Sequence, residues 1–320
     1  MKIFAFSICT LMFCANLSAC TGDDEKDMNT GGGNNTGDTE LPELKLVWEE
    51  NFDGSTLDQS VWNIELVKNP QNQEMQEYKA ENIAIGKEPV SGNNCLVITA
   101  RKEDTGSRFF TSGRLNTMKK VAFRYGRVDA AIKLPKTANG LWPAFWMKGN
   151  DNDVAQWPSC GEIDILEMGH ANGIAGGTQD RYLGVACHWG PNNAGHKSTG
   201  KKANMPYSLQ DDKFHVYSIV WDGERIEFYV DLDENPDQAP YYVFNYDADK
   251  NDAARYFRKE FYLLLNLAVG GNYTGITGTE NVDNITGLNE ANGYEAKMYV
   301  DYIRIYQRGV SGEKLITPSR

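Results

Sequence analysis

Between about residues 44 and 308 the chain breaks into short runs of β-branched and aromatic residues, each closed by turn residues, and no long stretch keeps a helical period. Leu46-Val47-Trp48, Cys95-Leu96-Val97-Ile98-Thr99-Ala100 and Gly126-Arg127-Val128-Asp129-Ala130-Ala131-Ile132 are early examples; Met298-Tyr299-Val300-Asp301-Tyr302-Ile303-Arg304-Ile305-Tyr306 is a late one. The segment Trp221-Asp222-Gly223-Glu224 joins two such runs as a hairpin turn would. There is no internal repeat and no second composition boundary. The pattern predicts one all-β domain over 44–308, built as two packed antiparallel sheets, with residues 309–320 left as a short tail. Pairing of its first and last strands would close the sandwich and protect its edges.

Within this pattern, residues 161–169 stand out: Gly-Glu-Ile-Asp-Ile-Leu-Glu-Met-Gly. Strand side chains alternate between faces, so Glu162 and Asp164 share one face and Ile163 and Ile165 the other. Strict alternation would then place Leu166 beside the acids. A β-bulge, one extra residue in the strand, turns Glu167 onto the acidic face instead. Three like charges gathered on one strand face repel, which is hard to justify structurally. Two carboxylic acids flanking a glycosidic bond are the minimal machinery for hydrolysing it. With the bulge, Glu162 and Glu167 are roughly 13 Å apart at Cα. Side chains leaning together would close their carboxyls to about 5–6 Å, the separation of a retaining enzyme rather than an inverting one. Asp164, between them, can hydrogen-bond one glutamate and raise the pKa of a neighbour that must stay protonated.

Charge and cysteines narrow the partners. With 32 basic against 44 acidic residues the net charge is −12, which argues against nucleic acid and polyanionic substrates and leaves a neutral ligand unaffected. At the N-terminus, Lys2 precedes an apolar run from Ile3 to Leu17 that is short for a membrane span and reads as a secretory signal, 1–20. It ends in Leu17-Ser18-Ala19-Cys20, which resembles a bacterial lipobox with Cys20 as the lipidated residue; the alternative is an ordinary signal with a cysteine nearby. Residues 21–43 are polar and glycine-rich, as a flexible tether would be. Their acidic start, Asp23-Asp24-Glu25, resembles the surface-export signal of Bacteroidetes lipoproteins, so the expected location is the outer membrane, facing the cell surface. Cys95, Cys160 and Cys187 remain in the domain, an odd number that argues for buried free thiols, with a Cys160–Cys187 bridge as the alternative. No Cys/His spacing points to zinc.

Glu-Ile-Asp-Ile-Leu-Glu resembles the signature of glycoside hydrolase family 16 in its bulged, laminarinase-like form. The resemblance extends to Phe123-Arg124-Tyr125-Gly126-Arg127, Leu141-Trp142-Pro143-Ala144-Phe145-Trp146-Met147, Trp157-Pro158, Leu265-Asn266-Leu267-Ala268-Val269-Gly270-Gly271 and the run through Asp301. It implies a concanavalin-like β-jelly-roll of two curved sheets, with Glu162 as nucleophile and Glu167 as general acid/base. The implied activity is that of a retaining endo-β-glucanase on β-1,3-glucan or mixed-linkage β-1,3/1,4-glucan, with no cofactor in catalysis. A galactan hydrolase and a non-catalytic surface glycan-binding protein are the alternatives. The chain is expected to act as a monomer held at the membrane by its lipid.

Trp142 and Trp146 lie four apart in a strand-like segment and face one way, as platforms for sugar rings or as core. His188 follows Gly184 and Ala186 by alternation, so small neighbours leave it room beside a ligand; a satisfied structural histidine is the alternative. By resemblance, Arg127 and Asn266 line the cleft, and Asn72, Glu74 and Tyr78 fall in a loop at its non-reducing end. Asp301, with a backbone oxygen near Gly92, corresponds to a structural calcium site on the convex side. Two positions depart from the laminarinase pattern, Ala131 where Arg is common and Tyr273 where Trp is common, and both put linkage preference in question.

Overall fold

The computed structural model describes residues 41–246 and 252–318. The signal run, Cys20 and the polar stretch up to residue 40 lie outside them. The described residues form a ten-stranded and a nine-stranded sheet with a hydrophobic core between, as the alternating runs predict. Pairing is antiparallel except where Gln76–Tyr78 runs parallel to Phe110–Ser112. The first strand, Lys45–Glu50, pairs with Glu295–Gln307, the closure expected of the chain's two ends. Trp221 and Arg225 bound the predicted hairpin between His215–Trp221 and Arg225–Val230. The C-terminal segment is more than a tail: Lys314–Ile316 pairs with Ala122–Arg124 at the nine-stranded sheet, and Leu315 packs against the core. Three apolar or stem-rich side chains in that strand gain more by docking than by staying in water.

The nine-stranded sheet positions the site. Its central strands run in the order Lys197–Asn204, Tyr182–Trp189, Glu162–Glu167, Leu141–Gly149, Phe261–Val269, Arg114–Asn116. On its inner face Leu183, Val185, Ile163, Phe145, Met147, Leu263 and Leu265 enter the core between the sheets. Each such side chain contributes roughly 1.5–3 kcal/mol on burial, so the register of every strand is pinned by its apolar half. The polar half is thereby forced onto the opposite, open face. Cys95, Cys160 and Cys187 are all buried and free, so the Cys160–Cys187 alternative is not formed.

A buried ion cluster at the end of the ten-stranded sheet makes stability pH-dependent. His215 contacts Asp231 Oδ2 through Nδ1 (2.8 Å) and Asp211 Oδ1 through Nε2 (3.0 Å), and stacks on Tyr207. Burial alone would lower its pKa, but the two carboxylates outweigh that and raise it. A raised folded-state pKa stabilises fully below the ordinary imidazole value near ~6.5, and the gain is lost as pH rises through the native value. His215→Gln should therefore lower stability by about 3 kcal/mol at pH 5, where it breaks a mostly buried pair. Melting curves of both proteins from pH 5 to 9 should show the gap narrowing as pH climbs past neutral. A gap that widens with pH would refute the assignment.

Candidate active site

The acid strand, Glu162–Glu167, carries the predicted bulge. Against Leu141–Gly149, Asp164 pairs with Trp146 and Leu166 with Phe145, leaving Ile165 as the extra residue; against Tyr182–Trp189 the register also slips between Asp164 and Glu167. The sequence pattern points to Leu166 as the displaced residue, whereas the unpaired one is Ile165. Both are buried in the core, and the slip sends Glu162, Asp164 and Glu167 out on the same open face.

Neighbouring strands surround the acids by alternation. Trp142, Ala144, Trp146 and Lys148 project on the cleft side of Leu141–Gly149, because Leu141, Phe145 and Met147 take the core side. Trp142 Nε1 donates to Glu167 Oε1 (3.1 Å), and Trp146 Nε1 donates to Asn266 Oδ1 (2.8 Å). Lys148 Nζ lies 3.6 Å from Glu162 Oε2. His188 stands opposite Glu162 in the next strand, with Nε2 3.3 Å from Asp164 Oδ2. Gly184 leaves space beside Glu167 that the Tyr273 hydroxyl fills; a Cβ there would come within 2.2 Å of that oxygen.

The electrostatics separate the two glutamates. Burial, followed by the Asp164 charge, raises the pKa of both Glu162 and Glu167 above the carboxylate range. Lys148, 3.6 Å from Glu162, pulls that carboxyl down to about 7, whereas Glu167, hydrogen-bonded by the neutral indole N–H of Trp142 and drawn down only by the charges of Lys202 and His188, stays at about 8. The pair is thus biased toward an ionised Glu162 and a protonated Glu167. His188 is itself pushed up to about 9: burial would lower it, but the hydrogen bond to Asp164 and the charges of all three acids prevail. The donor atoms of Glu162, Asp164 and His188 lie within 4.8 Å of one another, close enough to share one proton-transfer environment.

Three acids on one strand face, displaced by a bulge and flanked by two indoles, match one pattern in particular: residues 70–282 align with glycosyl hydrolases family 16. The chain belongs to glycoside hydrolase family 16. It is 30% identical to a β-glucanase of Rhodothermus marinus, over 96% of this chain and 95% of that one. It is 33% identical to glucan endo-1,3-β-glucosidase A1 of Niallia circulans over 89% of this chain, but spans only 40% of that protein's length. A solved Bacteroides ovatus family 16 structure, of the mixed linkage glucan PUL and in complex with G4G4G3G product, superposes with a TM-score of 0.71 at 38% identity. That match covers 81% of this chain and all of the other (100%).

Two residues expected in this family 16 cleft, Arg127 and Tyr78, sit elsewhere, while Asn266 and Asn72 border Trp146 and Trp142. Arg127 is in Gly126–Lys133 of the ten-stranded sheet, where it pairs with Asp129 (2.7 Å) and Asp233 (2.7 Å) and lies over Tyr306. Alternation puts it on a polar strand face but cannot tell which sheet that strand joins. The cleft arginine is Arg114: opposite Asn266 in register, 5.0 Å from the Trp146 ring centroid, and ion-paired to Glu65 at 2.9 Å. Its strand is three residues long, too short to register in a periodicity search. Tyr78 is 1% exposed and its hydroxyl donates to Glu74 Oε2 (2.8 Å), so it supports the wall beneath Arg114 and does not face a ligand. Asn72 is exposed, and its carbonyl accepts from the Asn272 amide (2.7 Å) beside Gly271, which approaches Trp142. Asn266 is buried and aims Trp146.

The two departures divide likewise. Ala131 belongs to the ten-stranded sheet, opposite Val216 and Tyr302, and cannot shape the cleft. Tyr273 does: its ring stacks on Trp142 at 4.8 Å and 10°, with its hydroxyl 3.3 Å from the Glu167 carbonyl. One face of Trp142 is therefore already covered. On the other sheet, Asp301 Oδ2 accepts from Asn93 Nδ2 (3.1 Å), and burial together with the Asp53 charge raises its pKa. Crowded oxygens of this kind suit a hard cation. The Gly92 carbonyl, however, already accepts from Lys87 Nζ (3.3 Å), so Asp301 fits the expected set better than Gly92 does.

Proposed function

We propose that the chain is a retaining endo-β-glucanase acting on β-1,3-glucan, mixed-linkage β-1,3/1,4-glucan or both. The observation that carries this reading is the bulge that brings Glu162, Asp164 and Glu167 to one face in unequal electrostatic surroundings. In the first step a Glu162 oxygen attacks the anomeric carbon while the bond to the leaving oxygen breaks, and Glu167 gives that oxygen its proton. Glu167, now a carboxylate, takes a proton from water, whose oxygen displaces the Glu162 ester. Two inversions at one carbon give net retention. Asp164 holds charge between the two glutamates, and its contact with His188 fixes its orientation. Trp142 supports Glu167 by its N–H, and the partly exposed ring of Trp146, bordered by Arg114 (5.0 Å) and Lys148 (4.8 Å), offers a platform for a pyranose ring.

The relatives named for β-1,3-glucan and mixed-linkage glucan support the substrate class. The net charge of −12 favours a neutral glucan over a sulfated galactan, and the cations near the acids, Lys148 and His188, are engaged by Glu162 and Asp164. The Leu17-Ser18-Ala19-Cys20 sequence supports a lipid anchor and Asp23-Asp24-Glu25 supports surface export, so the chain would act as a monomer on polymer outside the cell. A calcium ion, if bound at Asp301, would tie the segment at Asn93 to the last long strand and take no part in the reaction. Incubating the full chain with laminarin and with barley glucan, then separating products by size, tests the proposal. Mixed oligosaccharides of intermediate length are expected from at least one polymer. Products from agar or carrageenan alone, or tight glucan binding with no reducing ends released, would overturn it.

A further inference from the structure

The mechanism leaves one histidine unused although it touches the machinery. His188 pairs with Ser198 in the strand register, so His196, two residues earlier, lies diagonally across on the same face. The chain reaches it by a tight return. Asn192 caps the turn Asn193–Gly195 by accepting from the Gly195 amide (2.9 Å). At Gly190, with φ 147°, a Cβ would stand 2.3 Å from the Gly195 carbonyl, so only glycine lets the two limbs close. The result is a contact of 2.9 Å between His188 Nδ1 and His196 Nε2, with the rings at 11° to each other. The indole of Trp157 lies against His196 at 4.7 Å and against His188 at 6.3 Å.

We propose that His196 is a positioning residue for the catalytic acids, acting through His188: it accepts the hydrogen of His188 Nδ1 and so fixes the ring whose other nitrogen grips Asp164. The inference rests on the reading of the acids given above. The chemistry of the contact requires one hydrogen between the two nitrogens. His188 Nε2 faces a carboxylate and carries a hydrogen; as an imidazolium it carries a second on Nδ1, and His196 must then be a neutral acceptor with its own hydrogen on Nδ1. Burial and the His188 charge both lower the pKa of His196, so the two rings hold a single extra proton. The groups facing His188 are Asp164, Glu162 and Glu167 from the acid strand, Lys148 behind Glu162, and His196 with Trp157 from the two loops. His196 is the only one of them that contacts Nδ1.

The chain has four histidines, so imidazole resonances of the full protein can be followed across pH. His196→Ala should lower the His188 titration midpoint by about one unit, because the hydrogen bond favours the charged form. It should also cut kcat on laminarin about three- to ten-fold with KM little changed, and His196→Gln, whose amide oxygen can accept, should restore most of both. His170 and His215 report whether each variant is folded. A folded His196→Ala with an unmoved His188 midpoint would overturn the proposal, as would equal impairment by Ala and Gln. Should the alanine variant fail to fold, wild-type nitrogen shifts decide: His196 protonated on Nε2 in place of Nδ1 also overturns it. The midpoint and shifts are read without substrate, so they stand or fail apart from the activity.

Discussion

Glu162→Gln should give a folded protein that releases no measurable product from laminarin or mixed-linkage glucan. The amide cannot attack an anomeric carbon, and loss of a nucleophile in a concerted site costs on the order of 10⁵-fold or more. Folding should survive, because Glu162 packs no core: its side chain lies on the cleft face with Lys148 3.6 Å away. Removing its charge relieves the repulsion with Asp164, so the melting temperature should stay level or rise. The change also predicts a chemical signature. In Glu162→Gly the space can admit azide, which would attack an activated β-glucosyl donor directly and yield a product of inverted configuration. Turnover within a hundred-fold of wild type, or an azide product of retained configuration, would remove Glu162 from the nucleophile role.

What could be read in advance follows a physical line. Alternation fixes which side chains share a face, and the bulge was legible because Glu167 arrives one residue late behind Leu166. The same rule put Trp142 and Trp146 on one face, cleft or core, and gave His188 small neighbours; the structure turns all three toward the acids. Lys148, two residues past Trp146, shares that face by the same alternation, but no motif marked it. Alternation says nothing about which sheet a strand enters. Arg127 and Arg114 both lie on polar strand faces, and only long-range pairing puts Arg127 over Tyr306 and Arg114 over Trp146. Contacts made by loops were invisible for a similar reason. His196 reaches His188 through a turn whose closure depends on Gly190, and Tyr273 reaches Trp142 from the far end of Phe261–Val269. The strand Lys314–Ile316 is three residues long, and its place beside Ala122–Arg124 is decided by the partner it finds.

The bulge also explains why the two glutamates differ, although one strand carries both. A regular strand would send either Glu167 or Asp164 into the core, where an unpaired charge costs several kcal/mol. With Ile165 looped into the apolar layer, Glu167 emerges opposite Gly184 and beneath Trp142, away from the Lys148 end of the site. The geometry that makes three acids tolerable therefore also separates an acid ion-paired to Lys148 from one that feels Lys202 and His188 through their charges.

Glu167→Gln should for that reason behave differently from Glu162→Gln. On glucan, whose leaving oxygen needs a proton, kcat/KM should fall about 10²–10⁴-fold. On an aryl β-glucoside oligomer with a good leaving group, the first step needs no proton and should persist, while hydrolysis of the ester stalls for want of a base. A burst of released phenol followed by slow turnover is the expected trace. Azide should speed that turnover and give a product of retained configuration. The pH profile should change too. In the wild type, burial and Asp164 raise both carboxyls, so each limb of kcat/KM lies above the ordinary carboxylate range. The acidic limb follows ionisation of Glu162 and the alkaline limb loss of the Glu167 proton. Glu167→Gln should keep the acidic limb and flatten the alkaline one for the activated substrate. An alkaline limb that stays in place would transfer the proton-donor role to another group, and His188, held as an imidazolium against Asp164, would be the first to test.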